Sequence, residues 1–80
     1  MSTPKLEACV AILQVLNNKG QLGAGNIEST TRTSHSFLGE CLAILAEQGM
    51  VEKKEASDAV YSITENGRRV LKFFKMEQSS

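Results

Sequence analysis

Behind Thr3-Pro4, apolar residues at Leu6, Cys9, Val10, Leu13 and Leu16 recur at helical spacing. The threonine hydroxyl can cap free amides, and the proline sits where its missing N–H costs nothing. A helix is therefore expected up to Lys19, with Gly20 as its stop. Ala8, Ile12 and Val15 fall on a second face of this helix, which a peripheral helix in a monomer would make polar. Either the helix lies deep in the core or it has a partner outside the domain. Gly20 to Gly25 reads as a loop. Asn26 to Thr31 reads as a brief helix of low intrinsic stability, with Ile27 its only large apolar residue. Thr33 or Ser34 caps a third helix whose apolar stripe is Phe37, Leu38, Cys41, Leu42 and Leu45, and Gly49 ends it. Projected at about 100° per residue, the opposite face carries His35, Ser36, Gly39, Glu40, Ala43 and Glu47.

After Gly49 the period changes from helical to two. Met50 to Lys54 and Ala59 to Ile63 become short strands, with Val51, Tyr61 and Ile63 inward and Glu52 and Ser62 outward. Glu55-Ala56-Ser57-Asp58 is the hairpin loop between them. Thr64 caps a last helix in which Val70, Leu71 and Phe74 share a face, while Arg68, Arg69, Lys72 and Lys75 occupy the other side. Met76 to Ser80 is expected to fray.

Eighty residues bound this pattern to one domain, 1–80, too small for a large enzyme cleft. An apolar fraction of 41% with 22% charged residues argues against disorder. Nine basic and nine acidic residues cancel, so nucleic-acid binding would have to come from where the charge sits. The longest run without a charge, Ala8 to Asn18, is too short to span a bilayer, and no signal peptide opens the chain, so no membrane partner and a cytoplasmic location are expected. Cys9, Cys41 and His35 do not make a zinc-ligand set, and no glycine-rich phosphate loop is present. We therefore expect no enzyme, no metal, no cofactor and no evident small-molecule effector site. Both cysteines fall on apolar stripes and read first as buried thiols facing each other between the first and third helices, with a disulfide as the alternative in a hyperthermophile.

The order helix, short helix, helix, hairpin, helix resembles the winged-helix superfamily, mainly α with a small β-hairpin. Two motifs carry the likeness: Leu42-x-x-Leu45-x-x-x-Gly49-Met50-Val51, from recognition helix into first wing strand, and Tyr61-x-Ile63-Thr64-x-x-Gly67-x-x-x-Leu71, from second strand into C-terminal helix. The likeness covers about residues 5 to 75, with the helix-turn-helix near 24–48, the wing near 50–63 and the C-terminal helix near 64–76. It is strongest to small one-domain archaeal and bacterial regulators and to archaeal winged-helix chromatin proteins. Two departures stand out: Glu28 follows Ile27 where the family usually has a small residue, and Glu40 and Glu47 stand where relatives often carry Arg or Lys.

The resemblance implies a sequence-specific transcriptional regulator that binds double-stranded DNA as a homodimer. Thr33, Ser34, His35 and Ser36 would approach base edges and phosphates, with Ser29, Thr30, Thr31 and Arg32 bonding phosphates just before them. Gly39 and Ala43 would let the helix seat closely, and Glu40 would accept from a cytosine amino group. The same hydroxyls read equally well as caps of their own helix. Lys53 and Lys54 on the wing, with Arg68, Arg69 and Lys72 behind, would hold the backbone, although cations suit the later turns of any helix. A two-fold dimer would bury Ala8, Ile12, Val15, Phe73 and Met76. Two other functions fit the same residues: a winged helix that docks proteins, where acidic Glu40 and Glu47 are at home, and an architectural chromatin protein with weak sequence preference.

Overall fold

The computed structural model describes residues 4–55 and 59–78, with the side chains of 4–54 and 59–74. Helix α1 (Pro4–Lys19) is followed by a short strand β1 (Gln21–Gly23), α2 (Ala24–Thr31), α3 (His35–Glu47), the strands β2 (Val51–Glu55) and β3 (Ala59–Ile63), and α4 (Glu65–Gln78). The Thr3 cap and the hairpin tip 56–58 lie outside the described residues.

The segment after Gly20, expected as loop, contains a strand. Gln21, Leu22 and Gly23 pair antiparallel with Ser62, Tyr61 and Val60, so the expected hairpin becomes a three-stranded sheet in the order β1-β3-β2. Three residues, the last of them a glycine, have no alternation to display, and their partner lies far along the chain; tertiary context decides such a strand. In the hairpin itself Val51 faces Ile63 and Lys53 faces Tyr61.

The core is built around α1. Cys9, Ile12, Leu13 and Leu16 meet Ile27 of α2, Leu38, Cys41, Leu42 and Leu45 of α3, Val51 and Ile63 of the sheet and Leu71 of α4. Ile12 has no exposed surface, which corrects its assignment to a dimer face: α1 is wrapped by the other helices and the sheet, so a second apolar face is needed inside the protomer. Ala8 and Val15, at the margin of that face, are half-buried.

The junction between α3, the sheet and α4 is fixed by backbone chemistry. Gly49 takes φ 71°, a left-handed conformation that costs a side-chain-bearing residue about 1–2 kcal/mol, and lets the Met50 N–H return to the Leu45 carbonyl at 2.8 Å. Thr64 then closes the joint. Its hydroxyl donates to the Gly49 carbonyl at 2.6 Å and accepts the Gly67 N–H at 3.1 Å, capping α4 as expected. Its own N–H donates to the Met50 carbonyl at 3.0 Å. Gly67 is packed so closely on this turn that a Cβ would overlap the Met50 carbonyl oxygen.

Candidate nucleic-acid interface

With Leu38, Cys41, Leu42 and Leu45 turned into the core, α3 must present its other side to solvent. His35, Ser36, Gly39, Glu40, Ala43 and Glu47 are all exposed on it. Ile44, which the expected outer face omitted, is also exposed, at 37%. Helix α3 carries no Lys or Arg, so its surface offers hydrogen-bonding groups, two carboxylates and a strip of small or apolar residues.

The turn that delivers α3 is tight. Arg32 ends α2 at φ 56°, the one non-glycine residue in the left-handed region among those described, and its N–H returns to the Glu28 carbonyl. Ser34, rather than Thr33, caps α3: its hydroxyl accepts the Phe37 N–H at 3.4 Å. Three other hydroxyls, those of Ser29, Thr31 and Thr33, bond within the turn itself. Ser29 donates to the Gly25 carbonyl at 3.1 Å and Thr31 to the Ile27 carbonyl at 2.7 Å, while the Thr33 hydroxyl meets that of Thr31 at 2.8 Å. Of the residues expected to meet phosphates here, Thr30, Arg32 and Ser36 are exposed and their side chains bond to none of the described residues.

One contact across the turn has no counterpart in the sequence patterns. Nδ1 of His35 lies 3.0 Å from Oε2 of Glu28. That hydrogen bond, and after it the carboxylate charge, hold the imidazole above its ordinary value of 6.5. The histidine side chain is 87% exposed, so the pair sits in water and is screened. Its only sequence signal is Glu28 in place of a small residue.

The cations occupy two further regions. Lys53 and Lys54 are exposed on β2, and as successive strand residues they leave opposite faces, so each meets a different side of the wing. On α4, Arg69 pairs with Glu65 at 3.4 Å, an exposed ion pair of small energetic weight. Arg68 and Lys72 line a cavity of about 250 Å³ with Asn17 and Leu71 between α1 and α4. The expected cation Lys75 and the expected interface residue Met76 have side chains outside those described. Phe73 is 65% exposed, the largest exposed apolar side chain described.

Cys9 and Cys41 are buried free thiols. They share a hydrogen bond between α1 and α3, and burial first, then the neighbouring Cys41, push the Cys9 thiol up to about 11. Among the described residues no group of three or more His, Cys, Asp or Glu is placed to hold a metal ion, and no helix is long and apolar enough to cross a membrane.

Helix-turn-helix, three-stranded sheet with an extended hairpin, and closing helix together define a winged helix. Solved structures of that fold overlay most of the chain. A MarR-family transcriptional regulator from Silicibacter pomeroyi matches at TM-score 0.78 and 24% identity over 81% of this chain and 46% of its own. BpsR of Bordetella bronchiseptica, whose DNA binding is regulated by 6-hydroxynicotinic acid, matches at TM-score 0.82 and 15% identity over 89% of this chain and 54% of its own. The Zalpha domain of Carassius auratus PKZ, solved in complex with Z-DNA, matches at TM-score 0.73 and 16% identity over 78% of this chain and all of its own. The chain thus spans about half the length of the two bacterial regulators. No protein-family model matches the sequence, and no curated protein matches it either.

Proposed function

We propose that this protein is a homodimeric, sequence-specific DNA-binding transcriptional regulator that lays the N-terminal half of α3 in the major groove. The observation that carries this reading is the outer face of α3: His35, Ser36, Gly39 and Glu40 are exposed at the helix's leading end, on an element rigidly held by its buried stripe. Gly39 has no heavy atom within 4 Å of where a Cβ would stand, so nothing in the fold itself explains a glycine there, and a close-fitting groove would. Arg32 precedes this face in the turn, and the wing lysines supply phosphate contacts. Solved neighbours described as binding DNA use the same fold. With nine cations set against nine anions, one domain grips weakly, and a dimer through Phe73 with the half-buried Ala8 and Val15 would place two recognition helices on one duplex.

Fluorescence anisotropy with a random-sequence duplex at two salt concentrations tests this. Binding that weakens with salt, by a slope that falls about one unit for each lysine lost from Lys53 and Lys54, is expected. Absence of binding at low salt overturns the reading. The acidic and apolar part of the α3 surface, Glu40, Ile44 and Glu47, favours a second reading in which α3 docks against a protein; that is the function left standing in such a case. Equal affinity for every sequence favours an architectural role.

A further inference from the structure

We propose that Glu28 is a positioning residue for His35, and that the pair makes base preference at the leading end of α3 depend on pH. The inference rests on the proposed DNA-binding role of α3. It begins from valence. An ionised carboxylate only accepts hydrogen bonds, so the 3.0 Å contact requires Nδ1 of His35 to carry the proton. In the neutral ring that tautomer leaves Nε2 as a bare acceptor; in the charged ring Nε2 becomes a donor. Among the described residues Nε2 has no partner, and the side chain is almost fully exposed at the first residue of α3, one position after the Ser34 cap.

A single side chain therefore offers two opposite chemistries to a base edge. Neutral His35 accepts, which suits the amino groups of adenine and cytosine in the major groove. Charged His35 donates, which suits N7 and O6 of guanine or a phosphate oxygen. Glu28 contributes twice. It orients the ring by reaching across from α2, and it favours the charged form, so the change falls at a higher pH than in a free histidine. The Glu28 hydrogen bond and charge raise this titration and desolvation lowers it; the other charges nearby are Glu40 and Glu47 further along the outer face of α3 and Arg32 in the turn.

The test has a free-protein arm and a DNA arm. In the free protein, the His35 ring titration followed by NMR is expected to sit above the usual histidine value, and Glu28→Gln, which keeps an acceptor and removes the charge, is expected to lower it. A titration unmoved by Glu28→Gln overturns the pairing, whatever the DNA result. In the DNA arm, the protein selects from a duplex library randomised at every position between about pH 5.5 and 8, and the base enriched on each strand at each position is read. The guanine preference is expected to rise about three- to tenfold toward acid in the wild type, with its midpoint moved down in Glu28→Gln. In His35→Gln the ratio of affinities between bases is expected to be flat with pH. A wild-type preference that is flat with pH while duplexes still bind overturns the inference and leaves the DNA-binding reading intact. Failure of every duplex to bind at any pH overturns both.

Discussion

Replacing Gly67 with alanine separates helix propensity from packing, because the two predict opposite signs. Gly67 lies inside α4, where alanine alone would favour folding by about 1 kcal/mol. The added Cβ, however, would stand 2.8 Å from Cγ1 of Ile63, 3.2 Å from the carbonyl carbon of Met50, and closer still to that residue's carbonyl oxygen. None of these atoms is the loose end of a long side chain. Ile63 is 7% exposed, and the Met50 carbonyl accepts the Thr64 N–H at 3.0 Å. Relief of the overlap must move backbone, at a cost of about 1–3 kcal/mol for overpacking. It also lengthens a hydrogen bond that contributes about 0.5–1.5 kcal/mol. Set against the propensity gain, the net loss is about 2 kcal/mol, which lowers the thermal midpoint of so small a domain by roughly 10 °C. Urea and thermal unfolding followed by far-UV circular dichroism measure it. A Gly67→Ala variant as stable as the wild type, or more stable, would refute the account of this joint.

Gly39→Ala is the converse case: a Cβ there meets nothing within 4 Å, so the fold should gain about 0.5–1 kcal/mol in urea unfolding while duplex affinity falls. Alkaline pH should weaken the fold through Cys9. Its folded value is raised, so both states hold the proton below about 9.0; from there toward about 11 the unfolded chain releases it first and stability drains away, on the order of 3 kcal/mol beyond that seen in Cys9→Ala. Identical alkaline slopes in urea titrations of the two proteins would contradict this. Phe73→Glu should convert a wild type sedimenting at twice the single-chain mass to a folded monomer, and a wild type already monomeric at micromolar concentration removes the dimer.

The parts of the fold legible in the sequence are those written in local chemistry. The α3 stripe from Leu38 to Leu45, the left-handed Gly49, the Thr64 cap and the change of period into the hairpin each rest on residues within a few positions of one another. Strand β1 was hidden because its pairing with Ser62, Tyr61 and Val60 is long-range and its own sequence is too short to alternate. Ile12 was misplaced because helical projection counts faces without knowing how many neighbours surround a helix; α1 is central and needs more than one apolar side. At the candidate site the exposed residues of α3 followed from the stripe by elimination. The division of labour among the hydroxyls did not, since Ser29 and Thr31 turn back to carbonyls four residues earlier, an arrangement as available to serine and threonine as an outward contact. The Glu28–His35 contact spans seven positions across a turn, and no periodicity reports it.

The central claim, that the outer face of α3 meets DNA, is tested most directly by a ¹H–¹⁵N NMR titration of the labelled protein with a short random-sequence duplex at low salt. The account predicts amide shifts concentrated at His35, Ser36, Gly39, Glu40 and Ala43, with smaller ones at Lys53 and Lys54. Shifts confined to other surfaces while the α3 amides stay in place, or no shifts at all, would contradict it.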